Sequence, residues 1–392
     1  MDMMLNSFGL ILKLENCYGI FRYRVNDGQL VPINKMFKLY PVVIAVTYVF
    51  FLLYFLVKHW ITSIDHVDLD SITSMMGKIS TIITLVQYLL SIIIFLKQNK
   101  KNVRLFKIIT SVDRFLNIYN DKYFFKTIHN RLRFQFFIFM FIYTLTCVSF
   151  LISEKEFFVY QIFVIAIDFQ GYIEAFAFYI FIKILSYRLD VLNNYIHNFI
   201  SRKNTKPFSV NHKKKQNFFE FNINYIGNVS AENNRLQQLA AAYQKIGEAV
   251  ILINEVFDIQ ILISLTSSFT YAIVLISTSI YYYRKSQFGY DVFDMAIQTT
   301  FEILVIGGIS YICEVLILKR NKTEALVNEI VMDYDLPKRM RLQAKTFMEL
   351  LEVWPLKVIT FEVFVIDIKL MLKFINLLTT YVIVVSQLSH LL

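Results

Sequence analysis

The chain has 392 residues, 56% of them hydrophobic and only 18% charged, with a formal net charge of +10. A soluble domain averages about 45–50% apolar and about 25% charged residues, and a soluble chain of this length would split into roughly two or three domains joined by polar linkers. With 10 Gly and 5 Pro no such linker is present, so the composition excludes a soluble protein and places the chain in a bilayer, where its 38 Phe and 24 Tyr suit lipid-facing and interfacial positions.

The N-terminal segment, residues 1–38, is expected in the cytosol. Its first apolar stretch is broken by Lys13 and Glu15, so no cleavable signal peptide is expected. Residues 39–318 then hold six apolar runs long enough to cross the hydrocarbon core as helices. The first, Leu39–Val57, lies between Lys38 and Lys58, and the second, Ile79–Leu96, between Lys78 and Lys97. The third, Phe134–Ile152, follows Arg131 and Arg133. The fourth, Phe157–Ile182, carries Asp168 and Glu174, and a long connection, Lys183–Asp258, with a basic run at Lys213–Lys215, is expected after it. The fifth, Ile259–Tyr281, is free of charge, and the sixth, Ala296–Leu318, contains Glu302 and Glu314. Residues 319–365 read as a cytosolic segment. Within it residues 337–354 form an amphipathic helix opened by Pro337 at a first-turn position, with Met340, Ala344, Phe347 and Leu351 on one stripe and Pro355 closing it. A surface on neighbouring cytosolic elements or on another subunit would cover that stripe. Residues 366–392 hold the last span, Phe374–Leu392, which at 1.5 Å per residue reaches about 28 Å.

The fold class is therefore an all-α integral membrane protein with seven transmembrane helices. The N-terminal segment and the connections after spans two, four and six hold 35 of the 40 Lys and Arg residues, and the other connections hold five. Basic residues concentrate on the cytosolic side, so the N-terminus is expected in the cytosol and the C-terminus outside, inverted relative to a G-protein-coupled receptor. The glycosylation sequons at Asn228 and Asn321 then fall on the cytosolic side, where neither is modified. The basic charge is explained by these juxtamembrane segments, with no nucleic-acid partner. Cys17, Cys147 and Cys313 match no metal spacing, and the six His residues form no catalytic or metal motif. His59 and His66, near Asp65, Asp68 and Asp70, read as a solvated loop. No enzyme, metal or cofactor is expected.

Ionisable and amide groups inside spans are costly and are functional candidates by default. Asp168 lies about midway along its span with Gln161 and Tyr172 on the same helical face. Tyr143 and Thr146 of span three and Gln298 and Glu302 of span six lie at similar depth, and Tyr271 of span five lies nearer the middle. These eight residues are candidates for a pocket that hydrogen-bonds a small polar ligand; hydrogen bonding between helices is the alternative. In span seven Asn376, Thr380, Val384 and Gln387 follow one stripe. Such a row suits a water-filled pore shared between subunits, closed by an apolar ring, or ordinary interhelical hydrogen bonding.

The stretch Thr380-Tyr381-Val382-Ile383-Val384-Val385-Ser386-Gln387-Leu388 resembles the last-helix signature of insect gustatory receptors: Thr-Tyr, five mostly apolar residues, then Gln-Phe. Leu388 stands where Phe is usual, as in the related odorant co-receptor branch. Cys313 in span six, Glu324-Ala325 after it and Phe364-x-x-Asp367 before the last helix fit as well. The resemblance implies a homo- or heterotetramer, with itself or other gustatory receptors, forming a non-selective cation channel in the plasma membrane of sensory neurons. It implies a pore lined by the last helix, with Gln387, Leu388 and Val384 at the gate, Thr380 and Tyr381 more structural, and a tastant pocket in the outer half of spans two to six. Sugar receptors of that family tend to carry Glu just after Thr-Tyr; Val382 stands there, so a bitter or other non-sugar tastant is expected. A G-protein-coupled chemoreceptor is the alternative function.

Overall fold

A computed structural model of the chain describes residues 2–26, 29–33, 36–63, 70–153, 158–204, 225–227, 229–230, 233–284, 290–361 and 364–391. A short helix α1 (Asp2–Cys17) leads into a hairpin of β1 (Arg24–Asn26) and β2 (Gln29–Val31), paired Val25 to Leu30. Then follow α2 (Leu39–Ser63), α3 (Asp70–Phe115), α4 (Lys122–Ser153), α5 (Phe158–Asn204), α6 (Arg235–Arg284) and α7 (Tyr290–Met332). A shorter α8 (Lys338–Val353), a two-residue ladder of β3 (Ile359–Thr360) with β4 (Phe364–Val365), and α9 (Ile368–Leu391) complete the order. The seven transmembrane helices are α2 to α7 and α9.

Five of them, α3 to α7, exceed what a bilayer requires. The 50 residues of α6 reach about 75 Å against a hydrocarbon core of about 30 Å. Proline explains why they run unbroken. Pro41 sits in the first turn of α2, where its missing N–H is harmless, and Pro32, Pro337 and Pro355 lie outside every described helix.

The connections expected after spans two, four and six are thus largely helical. In α5, Leu185, Leu189, Leu192 and Ile196 are fully buried, and in α6 so are Leu239, Tyr243, Ile246 and Ile253. These positions recur at three- and four-residue steps, so an apolar stripe continues past the membrane while charges on the other faces lower the average hydropathy. The basic run Lys213–Lys215 and residue Asn228 lie outside the described residues, as do residues 64–69 with Asp65, His66 and Asp68.

These extensions, with α1 and α8, form a basal bundle around the main core. Its buried charges are paired. The guanidinium of Arg188 meets both carboxylate oxygens of Asp113 at 2.8 Å, with both side chains 1% exposed. Arg22 donates to Glu15 at 2.6–3.0 Å and to Asn102 at 3.2 Å, and lies over the Phe257 ring at 4.6 Å. In α8, Met340, Ala344, Phe347 and Leu351 are buried against α6 and α7, and Pro337 is the N-cap residue rather than part of the first turn. Trp354, at the end of α8, lies on bare backbone of α6: a Cβ at Gly247 would sit 2.5 Å from its ring, and its carbonyl accepts from Tyr243 at 2.5 Å.

Away from the basal bundle the outer surface is apolar. On α4, Phe134, Phe137, Phe141, Leu145 and Val148 form an uncovered stripe, and only 22% of its apolar window is buried within the chain. Lipid tails are the partner for such a face.

Candidate ligand cavity and last helix

Four helices converge on a cavity of about 30 Å³ in the membrane half of the bundle. Thr84 and Gln87 enter from α3, and Asp168, Gly171 and Tyr172 from α5. Ser264, Ser267, Ser268 and Tyr271 enter from α6, and Glu302 from α7. The i, i+4, i+7 spacing of Ser264, Ser268 and Tyr271 puts them on one face of α6. A Cβ at Gly171 would stand 2.6 Å from Nε2 of Gln87, so the missing side chain is what admits the Gln87 amide.

The eight residues proposed from sequence separate into two groups. Asp168, Tyr172, Tyr271 and Glu302 line the cavity. Tyr172 donates its hydroxyl to Oε1 of Glu302, and a hydrogen bond from Thr84 supports Asp168. The other four stand behind the wall. Gln298 accepts the Tyr271 hydroxyl at 2.6 Å and donates to Asp294 at 2.7 Å, which fixes the tyrosine from outside. Tyr143 donates to the Ile165 carbonyl at 2.9 Å and packs with Tyr172 and Phe301 at 5.6 and 5.8 Å. Thr146 is buried and bonds back to its own helix at Tyr143. Gln161 is fully buried but is not among the lining residues.

Sequence reasoning missed Thr84, Gln87, Gly171 and the three serines. A signal existed for Gln87 and Thr84, two polar guests one turn apart in an apolar span. The serines gave none, because a hydroxyl in a helix commonly bonds its own backbone, as Thr266 and Ser277 do in α6.

The last helix has two unlike sides. Met371 packs beside Gly307 of α7, Phe374 meets Phe269 of α6 edge-on at 5.4 Å, Leu378 is buried, and the Tyr381 hydroxyl lies 3.2 Å from that of Ser277. Asn376, Thr380, Val384 and Gln387 lie on the other side and are exposed, with the Thr380 hydroxyl bonded to the Asn376 carbonyl at 2.9 Å. The side chain of Leu388 lies outside the described part of the chain.

A family model described as 7tm Chemosensory receptor matches residues 9–389. The chain belongs to that chemosensory receptor family. It is a multi-pass protein of the cell membrane, with the family and fold of a receptor rather than an enzyme. Its structure is similar to that of the insect olfactory receptor OR5 from Machilis hrabei, with a TM-score of 0.65 at 13% identity over 97% of each chain. The same receptor in complex with eugenol gives a TM-score of 0.58 at 12% identity, over 99% of this chain and 98% of that one. At these identities the likeness is one of fold. No curated protein matches the chain in sequence. In this chemosensory receptor the cavity and the last helix touch through shared elements: α6 supplies both cavity residues and Phe269, and α7 supplies both Glu302 and Gly307.

Proposed function

We propose that this chemosensory receptor is a subunit of a tastant-gated, non-selective cation channel. Four copies stand around an axis, the N-terminus is cytosolic, and a small molecule binds in the cavity. The observation that carries the reading is the two-sided last helix. The amides of Asn376 and Gln387, left uncovered on one side of the helix, are expensive against lipid and suit a water-filled path, with Val384 and Leu388 able to close it by dewetting.

Coupling follows from geometry. A ligand that displaces Ser268 or Tyr271 moves α6, and Phe269 on the same turn carries that movement to Phe374 of α9. The orientation rests on the 35 Lys and Arg residues that the sequence gathers in the N-terminal segment and the connections after spans two, four and six. Support for a small organic ligand comes from the eugenol complex of OR5, and support for a non-sugar tastant from Val382. The family and the fold likeness weigh against a G-protein-coupled mechanism.

Whole-cell recording with G-protein signalling blocked tests the reading: tastant-evoked current persists. Val384→Glu places a carboxylate in the path and produces leak current or altered cation selectivity. Unchanged currents from a well-expressed Val384→Glu receptor would remove α9 from the pore.

A further inference from the structure

The cavity lining is unbalanced in charge. It contains two carboxyl side chains, Asp168 and Glu302, and no basic residue among its ten lining residues. Ionising both carboxyls in one small space of low dielectric is costly, and no cation of the wall compensates either.

Glu302 shows where compensation belongs. It is 2% exposed, its Oε1 takes the Tyr172 hydroxyl, the Ser268 hydroxyl stands beside the carboxyl as a second donor, and its Oε2 meets no donor in hydrogen-bonding geometry among the described residues. Other buried carboxylates of the same protein are treated differently. Glu174 has one oxygen bonded by Ser91 and the other by Gln170, both at 2.8 Å, while Glu15 has both oxygens bonded by Arg22. A buried carboxylate oxygen without a donor is costly, and at a cavity wall it is the natural seat of a ligand donor.

Resting on the reading of this cavity as the ligand site, we infer that it takes the ammonium group of a small protonated organic amine, held between Asp168 and Glu302. A primary ammonium brings three N–H donors and a full positive charge, which match Oε2 of Glu302, the Asp168 carboxylate and one serine hydroxyl of α6. The rings of Tyr172 and Tyr271 complete the wall, and aromatic faces attract organic cations. Among the described residues no group of three or more His, Cys, Asp or Glu side chains gathers to hold a metal ion. At about 10–15 Å³ for each water-sized centre, the space holds two or three, enough for the ammonium nitrogen and the first one or two carbons of its stem.

The test uses the full chain in lipid nanodiscs with n-propylamine and its neutral isostere n-propanol at neutral pH, read by ligand-dependent thermal shift. Propylamine binds about 10–100-fold more tightly than propanol, the range expected for hydrogen bonds to a charged group. Glu302→Gln and Asp168→Asn each abolish that preference while the unliganded receptor keeps its Tm, because the carboxamides keep shape and remove repulsion. Equal binding of the two compounds, no binding of propylamine, or a preference that survives both substitutions overturns the inference. Gly171→Leu, which fills the space beside Gln87, separates the outcomes. Propanol binding that this plug removes leaves the cavity as a ligand site for neutral molecules, whereas propylamine binding that survives the plug overturns both readings.

Discussion

The Asp113–Arg188 pair offers the sharpest test of how the basal bundle is held together. Its geometry is bidentate at 2.8 Å with both side chains 1% exposed, so water screens neither charge. Replacing one partner leaves the other charged and buried, a defect that costs about 3–5 kcal/mol. At about 1.4 kcal/mol per decade this lowers the folded-to-unfolded ratio by roughly 140- to 4,000-fold. Replacing both with apolar residues of similar volume removes the charges together and is neutral or stabilising by about 1–4 kcal/mol. Asp113→Asn and Arg188→Met are therefore each expected to lower the Tm of purified receptor steeply, and the Asp113→Val/Arg188→Met double variant to restore it. The assay is the fraction of monodisperse receptor left after a heating series. Single variants with wild-type Tm, or a double variant as unstable as the two defects summed, would refute the reasoning.

Phe269→Ala removes the ring between α6 and Phe374 without touching the cavity, so binding in nanodiscs is retained while evoked current falls; loss of both together would place Phe269 in the ligand site. Phe347→Ala, at a fully buried position beside the Tyr243 ring, opens a cavity beneath α8 and costs about 3–5 kcal/mol, measured as lost surface expression and lower Tm. Asn321 stays unglycosylated in expressing cells, because its sequon lies at the basal end and Thr323 is buried with its hydroxyl on Asn193 at 2.7 Å. A mobility shift on glycosidase treatment that Asn321→Gln abolishes would place that end outside the cell.

Much of this architecture is legible in the residues, and the illegible parts share a physical cause. The apolar runs of α4 and α6 stand out because lipid rewards an apolar face all round. The stretch of α5 beyond Lys183 reads as a connection in sequence, since Arg188, Asp190 and Asn193 dilute its hydropathy, although Leu185, Leu189, Leu192 and Ile196 keep helical time through it. Averaging over a window hides a stripe that burial against a neighbour reveals. At the cavity the conspicuous groups, Asp168, Tyr172, Tyr271 and Glu302, were readable because each is expensive in lipid. Ser264, Ser267 and Ser268 were not, since a serine costs little in a membrane helix and only the convergence of α3, α5 and α7 distinguishes these three. Gln298 and Tyr143 carried the same signal as the lining residues, yet their polar atoms are used to brace the wall from behind.

The unbroken length of α6 turns it into a lever. From Ser268 to Arg235 the rod extends about 50 Å without a joint, so a pivot of about 2° at the cavity would swing its basal tip by about 1.7 Å. Where that arm passes Trp354 no side chain cushions it, because Gly247 presents bare backbone to the indole. A small tilt in the lipid would therefore be felt as a push on α8, far from the molecule that caused it.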